Sequence, residues 1–477
     1  MALGKRCDFT KGNLVLQVIK FAIPIMLTTF LNLTFNTVDT FMIGRWGGDT
    51  PEECEIALAA VGSCASIIAL LVNFFMGLSV GSGVSVAYEV GAKNFDRVKK
   101  IVHTAVTFAA IGGIIVSIFG IIAVRPSLLL MGTDPLVLDE AALYMTAYMC
   151  GIPANIIYSY CASMLRSTGD TVRPLIFLTS GGIVNVCLNA IMIFVFRLGA
   201  LGVGIATAAS FWVSCIMVIV YMIRGKGLCA LNFKELGIDW QILKKILKIG
   251  IPAGIEDSLF SFSNVLIQSS INSFGAVAMA GNTAAKSIDH YMSVFTGTFG
   301  QSAITAVSQN NGAKNYKRIK KSILVCATMT ACIMIVVGTT LAIFGRPLVS
   351  LFAKDNPEVV EWGLIRLRIM TMTYFAGGLM SVGSYVLRGL GKSVTSTAIS
   401  LGGTCILRVV WTYTMFVWFR SFAMVFYVYP VTWFVTGGIT YILIYVTLRK
   451  IIKAHKAELQ AQKAEKEAQE ELTSARA

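Results

Sequence analysis

Acidic side chains are scarce inside the apolar stretches of this chain. Five of them, Asp39, Glu89, Glu256, Asp257 and Asp289, stand where a bilayer-spanning helix would carry them. A charge at that depth costs ~2.5–3.5 kcal/mol on insertion scales, so each needs a partner or a purpose. Asp39 lies late in the first apolar run, among apolar and hydroxylic neighbours. It reads either as an interfacial acid at the outer end of a helix or as a cation or proton site, and the second reading needs further oxygens. Asn185 and Asn189 are four apart, on one helix face, and Tyr144 and Thr207 stand in neighbouring runs. A carboxylate with amide and hydroxyl oxygens suits Na⁺, a hard ion, so Asp39, Asn185, Asn189 and Thr207 form a candidate Na⁺ site. A lone desolvated carboxylate at Asp39 can equally carry H⁺.

Glu256 and Asp257 follow Ile251-Pro252-Ala253-Gly254. Pro252 removes one backbone hydrogen bond and opens local polarity, so both acids are candidates for lining a substrate cavity. Glu89 near Lys93, and Asp289 beside Lys286 and His290, read as interfacial pairs, and Arg408 as a structural partner in the second half. From Glu361 to Glu458 there is no acid. The string Gly389-Leu-Gly391-Lys392-Ser393 imitates a phosphate-binding loop, but Val386 occupies the place where such a loop needs glycine. With no ATP site, pumping is expected to be ion-driven, without a bound cofactor.

The elements that must position these residues are legible from composition. Of 477 residues, 56% are hydrophobic and 14% charged, with mean hydropathy +0.72. A soluble domain carries roughly 25% charged residues. The apolar residues fall in blocks of the length, ~20 residues, that crosses a bilayer. They predict an all-α integral membrane protein of twelve transmembrane helices, near 14–44, 57–88, 101–124, 138–165, 174–196, 200–223, 242–274, 276–309, 317–344, 359–387, 395–418 and 424–448. The N-terminus, with Lys5, Arg6 and Lys11, does not read as a cleaved signal. The eleven cysteines, with no CxxC pair, read as small buried hydrophobes.

Assigning loops alternately to two sides puts thirty of the forty Lys and Arg on the side of both termini. The other side holds only Arg45, Arg125, Arg197, Arg346, Lys354 and Arg420. By the positive-inside rule both termini are expected in the cytoplasm of a cell-membrane protein, and the net charge of +15 answers to topology rather than to nucleic acid. The charged tail is expected to extend the last helix.

Gly91-Ala-Lys-Asn-Phe-Asp-Arg-Val-Lys-Lys100 recurs as Gly312-Ala-Lys-Asn-Tyr-Lys-Arg-Ile-Lys-Lys321, Arg125-Pro126 as Arg346-Pro347, and Leu165-Arg166-Ser-Thr-Gly169 as Leu387-Arg388-Gly-Leu-Gly391. The separations are 221, 221 and 222 positions, so one register holds throughout. An even number of spans per unit makes the two six-helix repeats parallel, an arrangement of secondary transporters with substrate between the halves. The expected organisation is an N-terminus at 1–13, a first lobe at 14–223, a linker at 224–241, a second lobe at 242–448 and a tail at 449–477. Gly169 and Gly391 suit left-handed helix ends, and Arg166 and Arg388 the last turn before them, with Asp170 or Thr171 capping the next helix.

Phe35-Asn-Thr-Val-Asp39-Thr-Phe-Met-Ile-Gly44-Arg, Ala59-Ala-Val-Gly62, Gly91-Ala-Lys and the two Leu-Arg-x-x-Gly turns together resemble the multidrug and toxic-compound extrusion (MATE) family over about residues 12–450. The resemblance implies a cation-coupled antiporter, driven by Na⁺ or H⁺, that exports amphipathic, often cationic compounds through a V-shaped pair of lobes. It also implies an ion site on spans one, four, five and six, where Asp39, Tyr144, Asn185, Asn189 and Thr207 match. Some members carry a second acid where this chain has Asn189. Glu256 matches an acid of one subgroup, whereas the acid some relatives place in span ten is missing. The alternatives are a lipid or glycan-lipid flippase of related architecture, a channel and a membrane-embedded enzyme. Two non-identical halves disfavour a channel, and three scattered histidines without a clustered nucleophile disfavour an enzyme. A monomer is expected, its partners being the bilayer and small molecules.

Overall fold

The computed structural model describes residues 6–225, 227–353 and 356–474. Lys5 and Lys354 of the charge count, and the last three residues of the tail, lie outside the described residues. Twelve membrane-length helical units run in series, and no strand occurs among the described residues. The first half comprises α1 (Leu14–Trp46), α2 (Pro51–Gly91), α3 (Phe95–Leu130), α4 (Pro135–Ser167), α5 (Val172–Phe194) and α6 (Gly199–Arg224). The second comprises α7 (Trp240–Asn272), α8 (Ala276–Gly312), α9 (Tyr316–Ile343) continued by a short α10 (Gly345–Ala353), and α11 (Pro357–Gly389). It then adds a broken eleventh span and α15 (Phe422–Ser474). The eleventh span is α12 (Ser393–Ser400), a π-helical turn Leu401–Ile406, α13 (Leu407–Tyr413) and α14 (Met415–Trp418).

The helices start where the sequence offers caps. Asn13 accepts from Val15 and Leu16 N–H, and Thr50 and Glu53 close a capping box ahead of Pro51. Most helices outrun their predicted spans, α2 reaching 41 residues and α3 36, because polar cap residues lie beyond the apolar blocks. The tail continues the last span as one helix of 53 residues. Gly169 and Gly391 both take left-handed backbone, with φ of +87° and +76°. Asp170 accepts from the Arg173 N–H and pairs with its guanidinium.

Among the described residues, eight units are apolar enough to cross a membrane on composition alone, whereas α4, α7, α8 and α11 are not. Those four turn polar residues toward other helices. α11 packs chiefly on α8, α9 and α15, α4 on α2, α3 and α6, and α7 on α2 of the first half. The linker is docked rather than free. Asn232 N–H meets His103 Nε2 at 3.0 Å, Asp239 N–H meets Thr104 Oγ1 at 3.2 Å, and Glu235 pairs with Lys99 at 2.8 Å. Lys99 and Asn232 together hold the Glu235 carboxyl below its ordinary range.

The halves touch at the end that carries the basic loops. A Cβ on Gly91 would overlap the Gln309 carbonyl, and one on Gly312 the Tyr88 carbonyl, so α2 and α8 cross backbone to backbone. Into this crossing the N-terminal segment inserts a fully buried Phe9. Phe9 N–H donates to Gln309 Oε1 at 3.0 Å, and its carbonyl accepts from Asn310 at 3.0 Å and Arg318 Nε at 2.6 Å. On the opposite flank Cys7 N–H donates to Gly169 O at 3.0 Å, and Gln309 Nε2 to Ser167 O at 2.8 Å. Residues 7–9 therefore stitch the α4–α5 turn of the first half to α8 and α9 of the second.

Burial raises the Cys7 thiol above its ordinary range, which keeps it unreactive while the halves are closed. In a chain retaining Cys7 as its sole cysteine, maleimide labelling should be slow. Gly91→Val should force α2 off α8 and speed labelling by about tenfold or more, because it removes both burial and the thiol's protonation bias. Unchanged labelling would show that this crossing does not hold the inner face shut.

Candidate functional site

In the first half, small residues on α5 draw its neighbours close. A Cβ on Gly182 would enter the Phe35 ring of α1, and one on Gly181 would meet Ser214 of α6. One turn beyond Phe35, Asp39 reaches α5: Asn189 Nδ2 donates to Asp39 Oδ1 at 2.5 Å and to Asn185 Oδ1 at 3.4 Å. Asn185 Nδ2 donates to Thr207 Oγ1 of α6 at 3.4 Å, and Thr207 donates to Val203 O at 2.8 Å. Asn189 is fully buried, and its Oδ1 has no partner. Tyr144 of α4 is buried beside Tyr148 (ring centroids 6.1 Å apart) and lies within electrostatic reach of Asp39. Among the described residues it makes no hydrogen bond to the four.

One half-buried carboxylate with an idle, buried amide oxygen beside it matches a singly charged ion. Carboxylate, two amide oxygens and a hydroxyl are the hard donors such a cation prefers. No group of three or more His, Cys, Asp or Glu is arranged to hold a metal among the described residues.

The second half holds a cavity of about 420 Å³ between α7, α8, α11, α13 and α15. Glu256 and Asp257 both line it, but Glu256 is not an open charge. Arg388 Nη2 meets Glu256 Oε2 at 3.1 Å and Asp257 Oδ1 at 3.3 Å. Ser400 donates to Glu256 Oε1 at 2.8 Å and Thr397 to Oε2 at 3.2 Å. Ser393 and Thr397 also donate to the carbonyls of Ile249 and Pro252, at 2.7 and 2.8 Å, so α12 hydroxyls satisfy the proline-disturbed stretch of α7.

Two assignments from sequence change here, and two arginines make contacts that the sequence did not show. Arg388 stands in the last turn of α11, where the sequence set it, but its side chain turns inward, 2% exposed, onto the α7 acids. Asp289 is no interfacial partner of Lys286: it is 2% exposed and pairs with Arg366 of α11 at 2.9 Å, a contact Asn282 extends at 2.7 Å. Glu89 pairs with Arg97 rather than Lys93, at 3.3 Å. Arg166, by contrast, faces a small cavity between the halves that Asp257, Gln301 and Tyr385 share. The missed partners carried a signal, because a cation at bilayer depth needs matching just as an acid does. Arg366 and Arg408 lie inside apolar runs.

Breaking a buried pair strands the survivor, at ~3–5 kcal/mol. Arg388→Met should therefore lower stability by about that amount in thermal unfolding, and adding Glu256→Gln should recover part of it. Full additivity of the two changes would mean that the pair is not coupled.

Comparison with known proteins follows the same two-part division. The MatE family profile matches residues 24–191 and 252–414, one match in each half. A Bacillus subtilis relative described as the probable multidrug resistance protein YoeA is 28% identical over 390 residues, covering 80% of this chain and 82% of that protein. An FAD transporter of Shewanella oneidensis is 24% identical over 394 residues, covering 80% and 84%. The solved outward-facing structure of a multidrug resistance MATE family transporter of the MOP superfamily superposes with a TM-score of 0.86 at 18% identity, covering 94% of this chain and 99% of that one. With both repeats matched by the profile and the twelve-helix fold shared, the chain belongs to the MatE family.

Proposed function

We propose that this protein is a secondary active antiporter of the cell membrane that exports amphipathic drug-like compounds, coupled to Na⁺ or H⁺ at Asp39. The observation that carries the reading is the polar cluster Asp39–Asn189–Asn185–Thr207, a single carboxylate tied to three helices of one half with an idle amide oxygen at its centre. A cation or proton entering there cancels the one charge. It changes how tightly α1 is held to α5 and α6, and so biases the halves between two arrangements. The descriptions of YoeA and of the superposed transporter as multidrug resistance proteins support drug-like cargo. A cationic cargo is not needed to give these acids a partner, because Arg388 contacts both Glu256 and Asp257. One chain holds both halves, so a monomer suffices. The basic loops support cytoplasmic termini, and tags at both ends should resist impermeant reagents on intact cells.

The deciding experiment uses proteoliposomes loaded with a fluorescent amphiphile under separately imposed Na⁺ and H⁺ gradients. Asp39→Asn keeps shape but removes the charge that the ion must neutralise. Insertion and thermal stability should stay near native, and gradient-driven efflux should fall to background under whichever ion drives the native protein. Native-rate efflux by Asp39→Asn under both gradients would overturn coupling at this residue.

A further inference from the structure

The broken eleventh span places a charge that the coupling site does not use. By the repeat spacing, the counterpart of Asn185 would be residue 407. The π-helical turn Leu401–Ile406 inserts one residue ahead of it, and π-turns of this kind concentrate at functional sites. The insertion brings Arg408 into register with Asn185. Where the first half sets amides beside a carboxylate, the second half sets a guanidinium.

Arg408 is 1% exposed and lines the 420 Å³ cavity. Its guanidinium lies 4.5 Å from the Tyr429 ring and 5.3 Å from that of Phe260. Nη1 donates to Asn264 Oδ1 at 3.2 Å and to Ser263 Oγ at 3.4 Å. Nε and Nη2 have no partner, and among the described residues no carboxylate pairs with Arg408. The other two cavity arginines are matched, Arg366 by Asp289 and Arg388 by Glu256 and Asp257. Lys286, exposed at the rim, adds a fourth cation against these three carboxylates. Four cations thus stand against three carboxylates, and Arg408 is the buried one that no carboxylate pairs among the described residues.

Aromatic faces lend a buried cation part of the stabilisation it lost on leaving water, but they accept no conventional hydrogen bonds. Nε–H and Nη2–H form the side-on edge of a guanidinium, the edge that receives two oxygens of one carboxylate, sulfonate or phosphate in parallel. Tyr429, Phe260, Tyr374 and Trp433 around it supply faces for an aromatic ring. The volume falls within the ~300–1,000 Å³ of small-molecule sites.

We propose that the second-half cavity binds an aromatic organic anion, its acidic group held by the Nε/Nη2 edge of Arg408 and drawn in past Lys286. This assigns a substrate class to the cavity and rests on the transport reading for its role in export.

Binding to the purified full chain in nanodiscs, without any gradient, tests it. The probes are a naphthalene sulfonate and the isosteric naphthyl trimethylammonium, followed by calorimetry and by quenching of tryptophan fluorescence. The sulfonate should bind more tightly than the ammonium. Arg408→Gln should weaken the sulfonate by about 30-fold or more, the usual loss when one member of a buried charge pair is truncated. Arg408→Lys should retain part of the affinity, and Lys286→Gln, an exposed site that leaves the fold intact, should weaken it several-fold. Tighter binding of the ammonium, or equal sulfonate affinity in the native chain and the Lys286→Gln and Arg408→Lys variants, would overturn the proposal even if Arg408→Gln failed to fold. So would displacement by chloride with no gain in affinity from the ring. Intact sulfonate binding with no gradient-driven efflux would instead sink the transport reading and leave the anion site standing.

Discussion

A charge inside a bilayer must be matched by another charge, a hydrogen-bonding cage or a water-filled space, and the helix packing of this protein follows from where its charges find those partners. Glu256 draws Arg388 inward from a helix end and gathers the α12 hydroxyls of Thr397 and Ser400. Asp289 ties α8 to α11 through Arg366. The charged partners lie on α7, α8 and α11, whose composition falls short of a lipid-facing span. Such helices are polar because they face one another, and their polarity keeps them from being replaced by generic apolar spans.

The two repeats answer the same constraint differently. The first half surrounds its lone acid with amides and a hydroxyl, which can stabilise the carboxylate or cede it to a cation without leaving a second charge exposed. The second half pairs acids with arginines, then adds an arginine on the span that the π-turn rotates. Duplication preserved the fold and its register while the polar interior diverged, a carboxylate among amides in one half and arginines among acids in the other.

Coupling between them needs a surface that can open as a unit. The Gly91–Gln309 and Gly312–Tyr88 approaches let α2 and α8 meet without side chains between them, beside an apolar cluster that joins Phe9 and Phe21 to the second half. The segment around Phe9 bridges the same crossing and donates or accepts through main-chain groups on both sides. An interface of this kind separates by rigid-body rotation with little repacking, as rocking of two parallel repeats demands.

Much of this was written in the sequence. The twelve spans follow from the length of the apolar blocks, because a bilayer imposes that length on any helix that crosses it. The duplication follows from three motifs in one register. The cluster on Asp39 was legible because a lone acid at depth must find oxygens, and a spacing of four places Asn185 and Asn189 on one face. The pairing of charges was not legible. Arg388 and Glu256 are 132 positions apart and Asp289 and Arg366 are 77, and neither pair shares a helix, so only the packing of α7, α8 and α11 brings them together. The same holds for Arg408: a count along the chain sets it one residue off the counterpart of Asn185, and the folded chain places it on the cavity just past a π-turn that no spacing announces. Local spacing determined which helix face each polar residue occupies; the tertiary structure decided which charges cancel and which one is left to bind.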